Sequence, residues 1–127
     1  MIYHHNRITF RAGVTAERRE EGLEYLRAQG RIDAVESFVV GKEVGGDYSW
    51  GAVFVIANLD DYWDYLTDPA HVRTIEFGAA LLEDLVTYDT TDDPDPEIGE
   101  KIALLQERFA KQPESDPLAR ELPSYKA

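Results

Sequence analysis

The chain opens on a strict alternation of apolar and polar positions. Ile2, His4, Asn6, Ile8 and Phe10 fall on one side, and Tyr3, His5, Arg7, Thr9 and Arg11 on the other. Period two with β-branched and aromatic residues predicts a half-buried strand. Ile8 and Phe10 mark its inner face, so His4 and Asn6 point inward and His5 outward. After Gly13 turns the chain, Thr15 is placed to cap a helix, and Glu17 sits in the first turn where the helix dipole favours an acid. Ala16, Leu23 and Leu26 share a stripe, and Gly30 ends the helix. Val35, Phe38, Val39 and Val40 mark a second strand over 34–44, and Gly45-Gly46-Asp47 reads as a turn. A third strand over 48–57 carries Trp50, Ala52, Phe54 and Ile56 on one face and Gly51, Val53 and Val55 on the other. Two apolar faces place it centrally in a sheet or at a subunit contact.

Leu59, Tyr62, Trp63 and Leu66 recur at helical spacing and stop before Asp68-Pro69, because a residue preceding proline resists the α region. Asp68 then caps a new helix with Pro69 in its first turn; its stripe is Ile75, Ala79, Leu82 and Val86. Leu85 to Thr90 holds a last short strand. The order β-α-β-β-α-β, with its second helical part broken in two, is the ferredoxin-like α+β pattern: an antiparallel sheet with helices on one face. The uncovered face predicts a homodimer, two copies closing into a dimeric α/β barrel.

Five of the six prolines follow residue 90, and eight of the nine glycines precede it. That shift divides the chain into a domain over 1–91 and an acidic, proline-containing extension over 92–127. Within the extension, Ile98, Ile102, Leu105 and Phe109 form the stripe of a helix over 97–111. Alone it would be marginal, so it must dock. Its stripe leaves open whether it covers a pocket mouth, lies on a partner subunit or recruits another protein. The final stretch, PESDPLARELPSYKA, reads as a polar tether.

Composition narrows the functional classes. A hydrophobic share of 43% supports a real core, and the formal net charge of -12 repels phosphate, so neither nucleic acid nor an anionic membrane is the expected partner. Cysteine is absent, which removes disulfides, thiolate metal sites and a Cys nucleophile and agrees with a cytoplasmic location. No apolar run approaches the ~18 residues of a membrane span, and MIYHHNRITF does not read as a signal peptide.

The histidines are His4, His5 and His71. They form no HxxxH pair, His4 and His5 point to opposite faces, and no metal site is expected. GKEVGG lacks the spacing of a phosphate loop, and no GxSxG occurs. His71 stands third in its helix, on the face of Ile75, Gly78 and Leu82. The helix N-terminus and desolvation both disfavour imidazolium there. The residue therefore reads either as a core histidine bonded to a carbonyl or as a neutral general base. Tyr65, across the proline break, reads either as an interfacial tyrosine or as a donor to a developing oxyanion. His4 and Asn6, inward and polar, need partners: each other, water or a ligand.

DYLTDPAHV (64–72), together with HNRITFRAGVT and YSWGAVFVIANLDDYWDY, resembles the stress-responsive A/B barrel (Dabb) family over residues 2–91. The YxxxPxH element from Tyr65 to His71 is the most specific part. The resemblance implies a dimeric α+β barrel. Functions in the family vary, from robust stress proteins to plant polyketide cyclases that need no metal or cofactor. By similarity to those cyclases, the catalytic tyrosine and histidine fall on Tyr65 and His71, an inward strand histidine on His4, and pocket-lining helix residues near Leu23 and Leu26. A further pocket histidine is replaced by Trp50.

The expectation is a cofactor-free cyclase or lyase acting on a small, mostly apolar poly-β-keto substrate. His71 is the base, Tyr65 with His4 or Asn6 holds the oxygen, and Ile8, Leu23, Leu26, Trp50, Phe54 and Ile75 shape the pocket. Two alternatives stand beside it: a cofactor-independent monooxygenase of a phenolic polyketide, and a non-enzymatic dimeric scaffold or binding protein.

Overall fold

The structure, a computed structural model, describes residues 1–122. Its strands are β1 (Ile2–Phe10), β2 (Val35–Lys42), β3 (Trp50–Ile56) and β4 (Leu82–Thr91). Its helices are α1 (Ala16–Gly30), α2 (Leu59–Thr67), α3 (Pro69–Gly78), α4 (Ile98–Ala110) and α5 (Asp116–Glu121), with single 3-10 turns at 79–81 and 113–115. The sheet runs β2-β3-β1-β4 and every neighbouring pair is antiparallel. This is the ferredoxin-like α+β fold, with the broken helical part where Asp68-Pro69 required it.

The alternation of β1 survives intact: Ile2, His4, Asn6 and Ile8 are buried. Register then sets their neighbours. His4 lies between Phe54 and Asp89, Asn6 between Ala52 and Thr87, and Ile8 between Trp50 and Leu85. The local signals for α1 also hold. The Thr15 side chain accepts a hydrogen bond from the Arg18 amide at 3.1 Å, and Leu23 and Leu26 are buried. Gly30 is the last residue of α1, and glycine is required there because a Cβ would run into the Phe38 ring of β2.

Two expectations are corrected. The stripe Ile75, Ala79, Leu82, Val86 does not continue one helix. α3 ends at Gly78, and β4 begins at Leu82 and pairs with β1 along its length, from Phe10↔Leu82 to Ile2↔Thr91. That ladder satisfies backbone groups along the whole edge of β1, so Val86 becomes an outward strand residue opposite Arg7. The supposed tether is also structured up to Leu122, and residues 123–127 lie outside the described residues. Pro117 starts α5, and Leu118 and Leu122, four apart on one face, are 8% and 1% exposed. The Arg11 guanidinium ties this segment down by donating to the carbonyls of Glu121 and Leu82.

α4 docks as its stripe requires. Ile102 and Phe109 are buried, Ile98 and Leu105 pack against the same core, and the Arg108 guanidinium sits 4.0 Å over the Trp63 ring of α2. The extension, up to Leu122, thus shares one hydrophobic core with the β-α-β-β-α-β unit.

Candidate active site

A cavity of about 100 Å³ lies on the inner side of the sheet. β1 contributes His4, Asn6 and Ile8, α1 contributes Leu26 and Gln29, and α3 contributes His71, Thr74 and Ile75. Gln106, Phe109 and Leu118 come from the extension.

The proline break builds the His71 environment. Had the helix continued past residue 67, the amide of residue 70 would have bonded the Leu66 carbonyl. Instead the Ala70 amide donates to Asp68 Oδ1 at 2.8 Å, the cap of α3. The Leu66 carbonyl is left as an orphan acceptor, and His71 Nδ1 takes it at 2.7 Å. A carbonyl only accepts, so Nδ1 carries the proton. In the neutral ring Nε2 then holds the lone pair, and it has no hydrogen bond among the described residues. Burial pushes the pKa down to about 4; the Leu66 hydrogen bond opposes that shift and His4 adds to it. The imidazole is therefore an uncharged acceptor at neutral pH. It is bonded to a carbonyl through one nitrogen and open through the other.

Tyr65 is fully buried, its ring centroid 5.1 Å from His71 and 5.5 Å from His4. It does not line the cavity. Its hydroxyl accepts from Gln29 Nε2, and hydrogen bonds from Gln29 and Asn6 oppose the rise in pKa that burial imposes. Both of those amides do line the cavity.

His4 belongs to a second cluster. Its Nδ1 lies 2.8 Å from Asp89 Oδ1 and donates to it. The Tyr62 hydroxyl donates to the same carboxylate at 3.0 Å and accepts from Gln106 Nε2 at 2.6 Å. Burial, and then the Asp89 charge, raise the Tyr62 pKa, which keeps the phenol protonated. The cluster thus holds the His4 ring in one orientation at the cavity wall.

Of the other expected residues, Asn6, Ile8, Leu26 and Ile75 line the cavity, while Leu23, Phe54 and Trp50 do not. Leu23 and Phe54 are sealed in the core behind it, at 1% and 0% exposure. Trp50 lies at the strand end, its ring 5.5 Å from the Arg19 guanidinium and 6.0 Å from Lys42 Nζ, and it does not narrow the cavity. Face periodicity gives the side on which a residue lies and not the depth at which a void forms. Asp89, Gln29, Tyr62, Gln106 and Phe109 were not anticipated as site residues. Asp89 was within reach of the sequence, because it alternates with Thr87 and Leu85 on the same sheet face as His4. The described residues bring together no group of three or more His, Asp or Glu able to hold a metal ion.

Comparison with curated proteins finds no match. Among solved structures, a dimeric ferredoxin-like protein of unknown function from Thermobifida fusca is 21% identical, with a TM-score of 0.64 over 71% of this chain and 89% of that one. A Dabb family protein with a ferredoxin-like fold from Mesorhizobium loti is 19% identical, with a TM-score of 0.64 over 72% and 96%. A hydroxynitrile lyase from Passiflora edulis is 8% identical, with a TM-score of 0.64 over 73% and 94%. At these identities the likeness is one of fold. The profile of the stress responsive A/B barrel domain matches residues 2–92, and the chain belongs to the Dabb family.

Proposed function

We propose that this protein is a cyclase or lyase for a small β-dicarbonyl compound of the polyketide type, working by proton transfer between cavity side chains. The observation that carries this reading is the His71 ring, with Nδ1–H spent on the Leu66 carbonyl and Nε2 uncommitted beside a cavity.

Nε2 removes the acidic proton between two carbonyls. The resulting enolate carbon attacks a second carbonyl to form the new C–C bond, and the alkoxide so produced takes the proton back from the imidazolium. The lyase direction runs the same steps in reverse. A pKa near 4 makes a weak base, but the enolate formed beside it supplies a counter-charge that stabilises the imidazolium. The Asn6 amide donates to the oxygen on which charge develops, His4 shapes the wall beside it, and Tyr65 acts through Gln29 and Asn6. A void of about 100 Å³ favours a short substrate over a long polyketide chain.

The working unit is a homodimer. The outer sheet face carries Val39, Tyr88 and Val86 at 59%, 45% and 36% exposure. His5 stacks there on Tyr88 at 4.5 Å, and its buried Nε2 has no hydrogen-bond partner among the described residues. The fold relative from Thermobifida fusca is dimeric.

Short β-keto thioesters and β-hydroxy ketones incubated in deuterated water, followed by mass spectrometry, test the chemistry. His71→Ala should lose about 10²–10⁴-fold in turnover with the fold retained. Full activity in that variant ends the mechanism, and stoichiometric oxygen consumption moves the assignment to a monooxygenase.

A further inference from the structure

The family domain accounts for residues 2–92, yet the cavity is not closed by those residues alone. Phe109 of α4 places its ring centroid 5.3 Å from that of His71. Leu118 of α5 lines the same void. Gln106, one turn before Phe109 on α4, donates to the Tyr62 hydroxyl that is bonded to Asp89. Phe109 and Leu118 are 2% and 8% exposed, so they are packed walls and not loose flaps. Three anchors fix them there: the Gln106–Tyr62 bond, Arg108 over Trp63, and the Arg11 bond to the Glu121 carbonyl.

We propose that the segment 98–122 is the specificity element of this site: Phe109, backed by Leu118, sets the upper size of the guest beside His71, and Gln106 locks that wall to the His4–Asp89 cluster. The inference rests on the cavity being a ligand site, as proposed above. Its content is separate: the discriminating wall lies outside the domain that defines the family. The Phe109 ring, tilted 52° to the imidazole and in contact with it, bounds the void on one side, so the remaining space takes a compact dicarbonyl and blocks an aryl or long acyl arm. Removing the ring opens space in the direction from which α4 now closes it.

The test uses the full chain and calorimetric titration with two probes, acetylacetone as the small diketone and benzoylacetone as its phenyl-bearing analogue. The wild type should bind acetylacetone and discriminate against benzoylacetone. Phe109→Ala should tighten benzoylacetone by at least about tenfold while changing acetylacetone little. Phe109→Val and Leu118→Ala, each checked by circular dichroism and a melting curve, take its place if the alanine variant does not fold, and they should shift the preference in the same direction. Unchanged preference in folded variants, or equal binding of both probes by the wild type, overturns this inference and leaves the chemistry of His71 standing. Failure of the wild type to bind either probe removes the ligand site itself, and this proposal with it.

Discussion

At the scale of single residues, His71 is held by a hydrogen bond that its own helix does not supply. Its acceptor is the last turn of the preceding helix, freed by Pro69. Burial at that position lowers the folded pKa to about 4 against the opposing pull of this bond, compared with an ordinary unfolded value of about 6.5. Between those values the unfolded chain binds a proton that the folded chain does not. This group therefore stabilises the fold fully above about pH 6.5. Its contribution falls as pH drops toward about 4 and is constant below that. The total is on the order of 3 kcal/mol. Urea unfolding of the wild type and of His71→Gln across this range should show the wild type losing the extra stability; parallel curves would show that the imidazole is hydrated. The same shift predicts that kcat/KM stays flat down to about pH 5 and falls near pH 4. A limb at pH 6 to 7 would contradict a buried neutral base.

At the scale of elements, local signals were legible where local chemistry decides. Asp68 caps α3 and Thr15 caps α1 because both act within three residues of chain. Asp68→Ala should cost about 1 kcal/mol in thermal unfolding. It should also lower turnover, since the freed Ala70 amide then competes with His71 Nδ1 for the Leu66 carbonyl. Elements fixed by distant partners were not legible. β4 starts at Leu82 because β1 offers it a ladder, and α5 exists because Leu118 and Leu122 find a core built by other segments. A count of polar residues made that stretch a tether; two leucines on one face make it a plug. Leu122→Ala, at a site 1% exposed, should destabilise the protein by about 2–5 kcal/mol in chemical denaturation. An effect below about 0.5 kcal/mol, typical of a surface position, would restore the tether.

At the scale of the whole molecule, one sheet face is spent on the core and the cavity, and the other carries valines and stacked aromatics. Val39 sits in the middle of β2 on that outer face, paired with Val53 of β3. Val39→Lys places a charge where a second sheet would pack, so sedimentation velocity should show a monomer that keeps its far-ultraviolet spectrum. A dimer unaffected by that charge would move the interface elsewhere. The surface charge of -12 adds repulsion between copies, so the dimer should strengthen with salt.

The sequence by itself determined which faces are apolar, where helices start and break, and hence the ferredoxin-like order and the inward aim of His4, Asn6 and His71. Periodicity and capping are short-range, and they can be read from neighbouring residues. Only the tertiary structure decided which inward residues border a void. Tyr65, Leu23 and Phe54 face in and are sealed, while Gln106 and Phe109 reach Tyr62 and His71 from a distant part of the chain. A cavity is what close packing leaves unfilled, and its walls come from whichever segments meet there, however far apart they lie in the chain.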